Sequence, residues 1–126
     1  MRRYFDVNVF IYYFLKDPFF GDKAYEWLKN TDERITCVIT PFEVTYILSK
    51  ILNISRRDSS LIYTIINAFS DLDVRYVSVP WENVPGVMRK YNLDFEDAIH
   101  VACALKEMAE IVSNDQELMK KVNAKF

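Results

Sequence analysis

The sequence predicts an α/β fold, a mainly parallel sheet covered by helices on both faces. Three observations carry this. Short apolar or β-branched segments alternate along the chain with helical ones, the order that builds parallel sheets. Those strand segments are almost wholly apolar, which a sheet with one wet face would not tolerate. And 51% of the 126 residues are hydrophobic with only two glycines, enough to fill a continuous core.

Residues 3–7 read as a short buried strand, and 8–15 continue as an apolar helix. Asp17-Pro18 stops that helix, because a residue before proline avoids helical backbone. Residues 22–30 form a second helix with Ala24, Tyr25, Trp27 and Leu28 on its inner face. The β-branched run 34–39 is a strand. Helices follow at 41–52 and 55–72; Ser55 and Asp58 have capping-box spacing, and Leu61, Ile62, Ile65, Ile66 and Phe69 recur at helical spacing. Residues 74–79 form a strand closed by Pro80, and 81–91 a helix distorted by Pro85-Gly86. The helix at 95–108 is apolar nearly all round from Ala98 to Leu105, so it should be buried. A short strand at 110–113, a helix at 115–121 and a stub of edge strand at 124–126 complete the chain.

The length fits one domain, 1–126. No apolar stretch approaches the roughly 20 residues of a membrane span. The N-terminus begins like a signal peptide, but Asp6 interrupts it before an apolar region develops, so a cytoplasmic protein is expected. Cys37 and Cys103 have neither zinc nor disulfide spacing and read as buried free thiols. The net charge of −2 argues against a general nucleic-acid binder. Basic residues come in small groups, Arg2-Arg3, Arg56-Arg57, Arg89-Lys90 and Lys120-Lys121, so any nucleic-acid contact must be local and salt-sensitive. Two glycines cannot build a Walker loop or a dinucleotide fingerprint. A single histidine and no Gly-x-Ser-x-Gly elbow argue against a nucleophilic triad.

The chemistry rests on acids. Tyr4-Phe5-Asp6-Val7-Asn8, Thr40-Pro41-Phe42-Glu43 and Ser113-Asn114-Asp115 each place a carboxylate where a strand hands over to a helix, and Asp97 opens the apolar helix. In open α/β sheets, sites form beyond the carboxyl ends of strands. Four carboxylates at one sheet edge repel each other unless a cation sits between them. An all-oxygen donor set favours Mg2+ or Mn2+ over zinc, and such ions assist phosphodiester hydrolysis. Each acid also has a local role open to it. Glu43 can close a capping box on Thr40, Asp94 can cap the helix in which Asp97 is third, Asp115 can cap the last helix, and Asp6 can pair with an arginine. His100, one turn past Asp97, either bonds it, assists proton transfer or is a satisfied core residue. The aromatics Phe10, Tyr12, Tyr13, Phe14, Phe19 and Phe20 exceed what one core face takes, which points to a dimer or partner surface.

With these segments in order, the chain resembles the PIN-domain family, and within it the small VapC-type toxins of toxin–antitoxin pairs. The resemblance runs from about residue 3 to 121. It rests on Phe5-Asp6-Val7-Asn8-Val9-Phe10-Ile11, Pro41-Phe42-Glu43-Val44, Asp97-Ala98-Ile99-His100-Val101-Ala102 and Ser113-Asn114-Asp115. It implies a three-layer α/β/α sandwich and a Mg2+- or Mn2+-dependent endoribonuclease. Asp6, Glu43, Asp97 and Asp115 match the family's acidic quartet, and Asn8 and Ser113 its supporting polar positions. Asp94 stands where the family often has serine or threonine, and either caps the helix or adds a fifth acid. Homodimerisation, an RNA substrate and a small antitoxin that blocks the acidic pocket are further implications. The rivals are a housekeeping PIN nuclease without antitoxin, a receiver-type phosphoacceptor and a non-catalytic binding module. A receiver usually has paired acids after its first strand and a lysine after its last, and neither is evident here.

Overall fold

The computed structural model describes all residues, Met1–Phe126. Four strands, β1 (Arg2–Phe5), β2 (Glu33–Cys37), β3 (Val74–Val77) and β4 (Glu110–Val112), form one sheet in the order β3-β2-β1-β4. Every pairing is parallel. The helices are α1 (Val7–Leu15), α2 (Gly21–Lys29), α3 (Thr40–Ile51), α4 (Ser60–Asp71), α5 (Val84–Tyr91), α6 (Phe95–Lys106) and α7 (Gln116–Val122), with a 3-10 turn, Trp81–Asn83, ahead of α5.

The two-residue period of the strands divides the core. Tyr4, Ile35, Val77 and Ile111 face one cluster, filled largely by Ala98–Ala104 of α6. Phe5, Val74 and Val112 face the other, with Val9 and Phe10 of α1, Val44 and Leu48 of α3, and Ile65 and Phe69 of α4. This is the expected α/β/α sandwich, and α6 is buried as its composition demands.

Strand order positions the site. The chain steps outward from β1 to β2 to β3, then returns to lay β4 on the other side of β1. The direction of winding reverses between β1 and β4, and a crevice opens there beyond the strand ends. Asp6 follows β1 directly, and Ser113 follows β4. The opposite end of the sheet is neutralised by ion pairs. Arg2 and Arg75 hold Glu33, each at 2.9 Å, Arg75 also reaches Glu107 at 2.6 Å, and Arg3 holds Glu110 at 3.0 Å.

Several local expectations are corrected. Helix α4 begins at Ser60, not 55, and Ser55 and Asp58 form no capping box. Asp58 instead accepts bonds from the Ser60 N–H at 2.9 Å and hydroxyl at 2.7 Å, and Ser55 accepts from the Arg57 N–H at 3.2 Å. Such side-chain turns compete with helix for exactly these residue types. The 124–126 stub pairs only as a bridge: the Lys125 N–H donates to Ile111 and its carbonyl accepts from Ser113, each at 2.9 Å. The aromatic surplus is mostly absorbed within the chain. Phe10 lies 4.4 Å from Phe69, Phe14 stacks on Phe69 and Tyr13 on Tyr25, and Tyr12 sits among Phe20 and Phe126. Phe19 alone of the six is widely exposed, at 85%. Both cysteines are buried and free.

The two glycines differ in their reasons. A Cβ on Gly21 would stand 3.0 Å from the backbone carbon of Lys16, so the close approach of two chain segments requires it. Gly86 lies inside α5 with nothing within 4 Å of the same position. Gly86→Ala is therefore expected to stabilise the fold by about 0.5–1 kcal/mol, read as a higher urea midpoint at unchanged slope.

Candidate acidic active site

Asp6 is built into the switch point by its backbone. Its N–H still donates to Val112 in the sheet at 3.0 Å, after which the chain turns and Oδ1 accepts from the Val7 N–H at 2.8 Å, capping α1. Oδ2 accepts from the Ser113 hydroxyl at 2.7 Å. That hydroxyl also accepts from Asn8 Nδ2 at 3.2 Å and from the Asp115 N–H at 3.1 Å, while Asn8 Oδ1 accepts from the Asn114 N–H at 3.3 Å. Asn8 and Ser113 thus lace the end of β1 to the end of β4. Asp6 is only 8% exposed, and no arginine pairs with it, so the ion pair open to it from sequence does not form.

Asp115 caps α7, accepting from the Glu117 N–H at 2.9 Å and the Leu118 N–H at 3.1 Å. Asp94 caps α6 by accepting from the Asp97 N–H at 2.9 Å, which sets Asp97 in the first turn. Both caps match expectation. The capping box at Thr40 does not form. The Thr40 hydroxyl is buried 2.8 Å from that of Thr36, which lies at the same distance from the Phe5 carbonyl. Glu43 is left to reach across to α6, where its Oε1 lies 2.8 Å from His100 Nε2. The other imidazole nitrogen is 2.6 Å from the Tyr4 hydroxyl, and His100 is 3% exposed.

Asp6, Glu43, Asp97 and Asp115 consequently line one cleft, shared with Asn8, Tyr12, Ile47, Glu96 and His100. No three acidic, histidine or cysteine side chains converge tightly enough to grip one ion among them alone.

The PIN-domain family model matches residues 3–125. The chain belongs to the PIN-domain family. PIN domains are nucleases, and they generally use divalent metals. Three solved structures share the fold of this PIN domain. A toxin–antitoxin complex from Klebsiella pneumoniae has 18% identity and a TM-score of 0.68, with 92% of this chain and 89% of that one covered. VapBC2 from Rickettsia felis, bound to a DNA fragment from their promoter, has 16% identity and a TM-score of 0.68, covering 99% and 96%. PAE2754 from Pyrobaculum aerophilum has 18% identity and a TM-score of 0.66, covering 100% and 88%. The sequence matches no curated protein.

The cleft of this PIN domain is electrostatically loaded. Burial, then the charges of Asp94, Asp115, Asp6 and Glu117, push the Asp97 carboxyl up to about 7. Burial and the neighbouring Glu43 also raise Glu96. Burial pulls His100 down, but its bond to Glu43 and the charge of Asp6 outweigh that and hold the imidazole up at about 9. At neutral pH it is an imidazolium donating to Glu43 and to Tyr4.

Glu96 and the pairing of His100 with Glu43 were not read from the sequence. Glu96 was legible as the neighbour of Asp97. The pairing joins residues far apart in the chain, and no local pattern marks it. His100 is a satisfied buried residue, as one expectation had it, but its partners are Glu43 and Tyr4 and not Asp97.

Proposed function

We propose that this PIN domain is a metal-dependent endoribonuclease that hydrolyses RNA phosphodiesters with Mg2+ or Mn2+ held by Asp6, Glu43, Asp97 and Asp115. One observation supports this above the rest: four acids from separate elements, with Glu96 beside them, face a single cleft where burial first, and the neighbouring acids second, push Asp97 up to about 7. Such a site has an excess of negative charge that a hard cation would relieve.

The donor set fits the ion. All four groups are carboxylates; no three side chains of the ligating types are grouped closely enough to hold an ion by themselves, so a bound cation would have to complete its shell with water, as Mg2+ usually does. When bound, the metal would lower the pKa of a water and stabilise charge on the phosphoryl oxygens. Asp6, Asp97 and Asp115 would hold it most directly. Ser113 and Asn8 orient Asp6. Glu43, held at one oxygen by His100, would bind the metal through water or position the attacking water.

Within this reading the chain acts as the toxin of a type II toxin–antitoxin pair, in the cytoplasm, as one domain spanning 1–126. The likeness to toxin–antitoxin structures supports it. A homodimer and a small antitoxin would draw on exposed aliphatics such as Ile51, Leu52 and Ile66. No helix is long and apolar enough to cross a membrane.

Protein stripped with EDTA and then given Mn2+ is expected to cut single-stranded RNA only after reloading, with calorimetric heat of Mn2+ binding. Intact RNA at saturating Mn2+ would refute the nuclease assignment, and the absence of heat would leave a binding module without metal.

A further inference from the structure

Helix α3 carries two stripes. Glu43 and Ile47, four residues apart, line the acidic cleft. The neighbouring stripe, one residue back at each step, reads Phe42, Tyr46 and Lys50. Phe42 and Tyr46 stack with ring centroids 6.0 Å apart and planes at 23°. They are 64% and 38% exposed, so burial in the core does not explain them. Lys50 Nζ stands 4.3 Å from the Tyr46 ring centroid, and the Arg56 guanidinium, from the turn ahead of α4, stands 5.6 Å from it. Arg56, Arg57 and Tyr46 line one groove between α3 and α4.

The charges of this patch are gathered on one groove. Lys50, Arg56 and Arg57 take part in no ion pair, and two of them stand over the face of Tyr46. The only acid lining the groove, Asp58, is occupied by the Ser60 N–H and hydroxyl. In a chain of net charge −2, this is a local positive surface with aromatic faces beside a negative cleft.

We infer that the Phe42–Tyr46 ladder with Lys50, Arg56 and Arg57 is a subsite for single-stranded RNA, which stacks a base next to the scissile nucleotide and holds its phosphates. The inference rests on the nuclease assignment of the adjacent cleft and adds to it a place outside the acids where the unpaired strand would be held. Aromatic faces bind any base whose face is free, and cations track the backbone, which together make a single-strand platform. A duplex hides those faces. Phe42 leaves the ladder open at one end, and the cations flank it on the other. A protein segment would also find apolar surface here, but it would gain little from three unpaired cations unless strongly acidic.

The test uses the full-length protein with Asp97→Asn to prevent turnover, in Mg2+, with a short fluorescein-labelled single-stranded oligoribonucleotide read by anisotropy. Adding Phe42→Ala and Tyr46→Ala should raise Kd about ten-fold or more, and Tyr46→Phe alone, which keeps the ring, should bind as before. Arg56→Ala with Arg57→Ala should weaken binding and make the salt slope shallower by about 1.4. The aromatic changes should leave binding to the matching duplex unaltered. In the otherwise wild-type chain with Mn2+, they should raise KM and leave kcat in place. Equal single-strand affinity with and without the ladder overturns the subsite, as does an equal loss for duplex, and the same result with loss of self-association or of an acidic peptide's binding reassigns the face to protein. Failure of the wild-type chain to cut RNA while the ladder still governs affinity would instead strike the nuclease assignment alone.

Discussion

Asp97→Asn is expected to give a protein that melts higher than the parent at pH 8 and cuts RNA more than about 100-fold more slowly, beyond the loss typical of a group that merely orients a metal ligand. The stability half follows from the direction of the shift. An unfolded Asp titrates near 3.8, and in the fold Asp97 titrates at about 7. Between those values the native state binds more protons than the unfolded one, so metal-free stability falls as pH rises through that window. Above it, the fold must hold an ionised carboxylate against Asp94, Asp115, Asp6 and Glu117. Asparagine fills the same space without the charge. In EDTA the variant should therefore exceed the parent in Tm at pH 8, with the gap closing by pH 5, where Asp97 is protonated. Mn2+ at pH 8 should raise the parent's Tm and leave the variant's nearly unchanged. A variant that melts lower at pH 8, or that keeps its cleavage rate, would overturn this account. Asp6→Asn should lose cleavage likewise while keeping the fold.

His100→Ala should be the most destabilising single change near the cleft, by about 3–5 kcal/mol. It removes one half of a buried charged pair and strands two groups at once: Glu43, whose side chain is 12% exposed, and the fully buried Tyr4 hydroxyl. Adding Glu43→Gln should restore part of the loss, because a neutral side chain is cheaper to leave unpaired. The pH dependence has a definite sign. The imidazole moves from 6.5 to about 9, so its stabilisation is fully present below 6.5 and fades as pH climbs through 9. Urea denaturation of both single variants and the double variant measures the coupling. A His100→Ala effect under about 0.5 kcal/mol, the size of an ordinary surface change, would show that the pair contributes nothing special.

The layers were legible because buried parallel strands and one all-apolar helix leave few other ways to cover hydrophobic surface. The acids were legible for a related reason: Asp6 and Asp115 interrupt apolar runs at strand ends, where a charge needs a purpose. What failed was local chemistry with two outcomes. Thr40 and Glu43 have capping-box spacing whether the carboxylate folds back or reaches His100, and only tertiary packing decides. Ser55 and Asp58 likewise satisfied themselves in a turn and let α4 start later. The packing of most of the aromatics was not legible because their partners Phe69 and Phe126 come from distant parts of the chain.

Asp6, Asp94 and Asp115 each hold up the first turn of a helix as well as facing or flanking the cleft. Cutting any of them back to a methyl group would remove a helix start worth about 1 kcal/mol together with a charge, and the two losses would arrive in one measurement. The scaffold has in effect tied the charge of this cleft to the starts of its helices. Drift at these positions can dispense with charge and keep an oxygen acceptor, which leaves a well-folded decoy, but it cannot easily lose both.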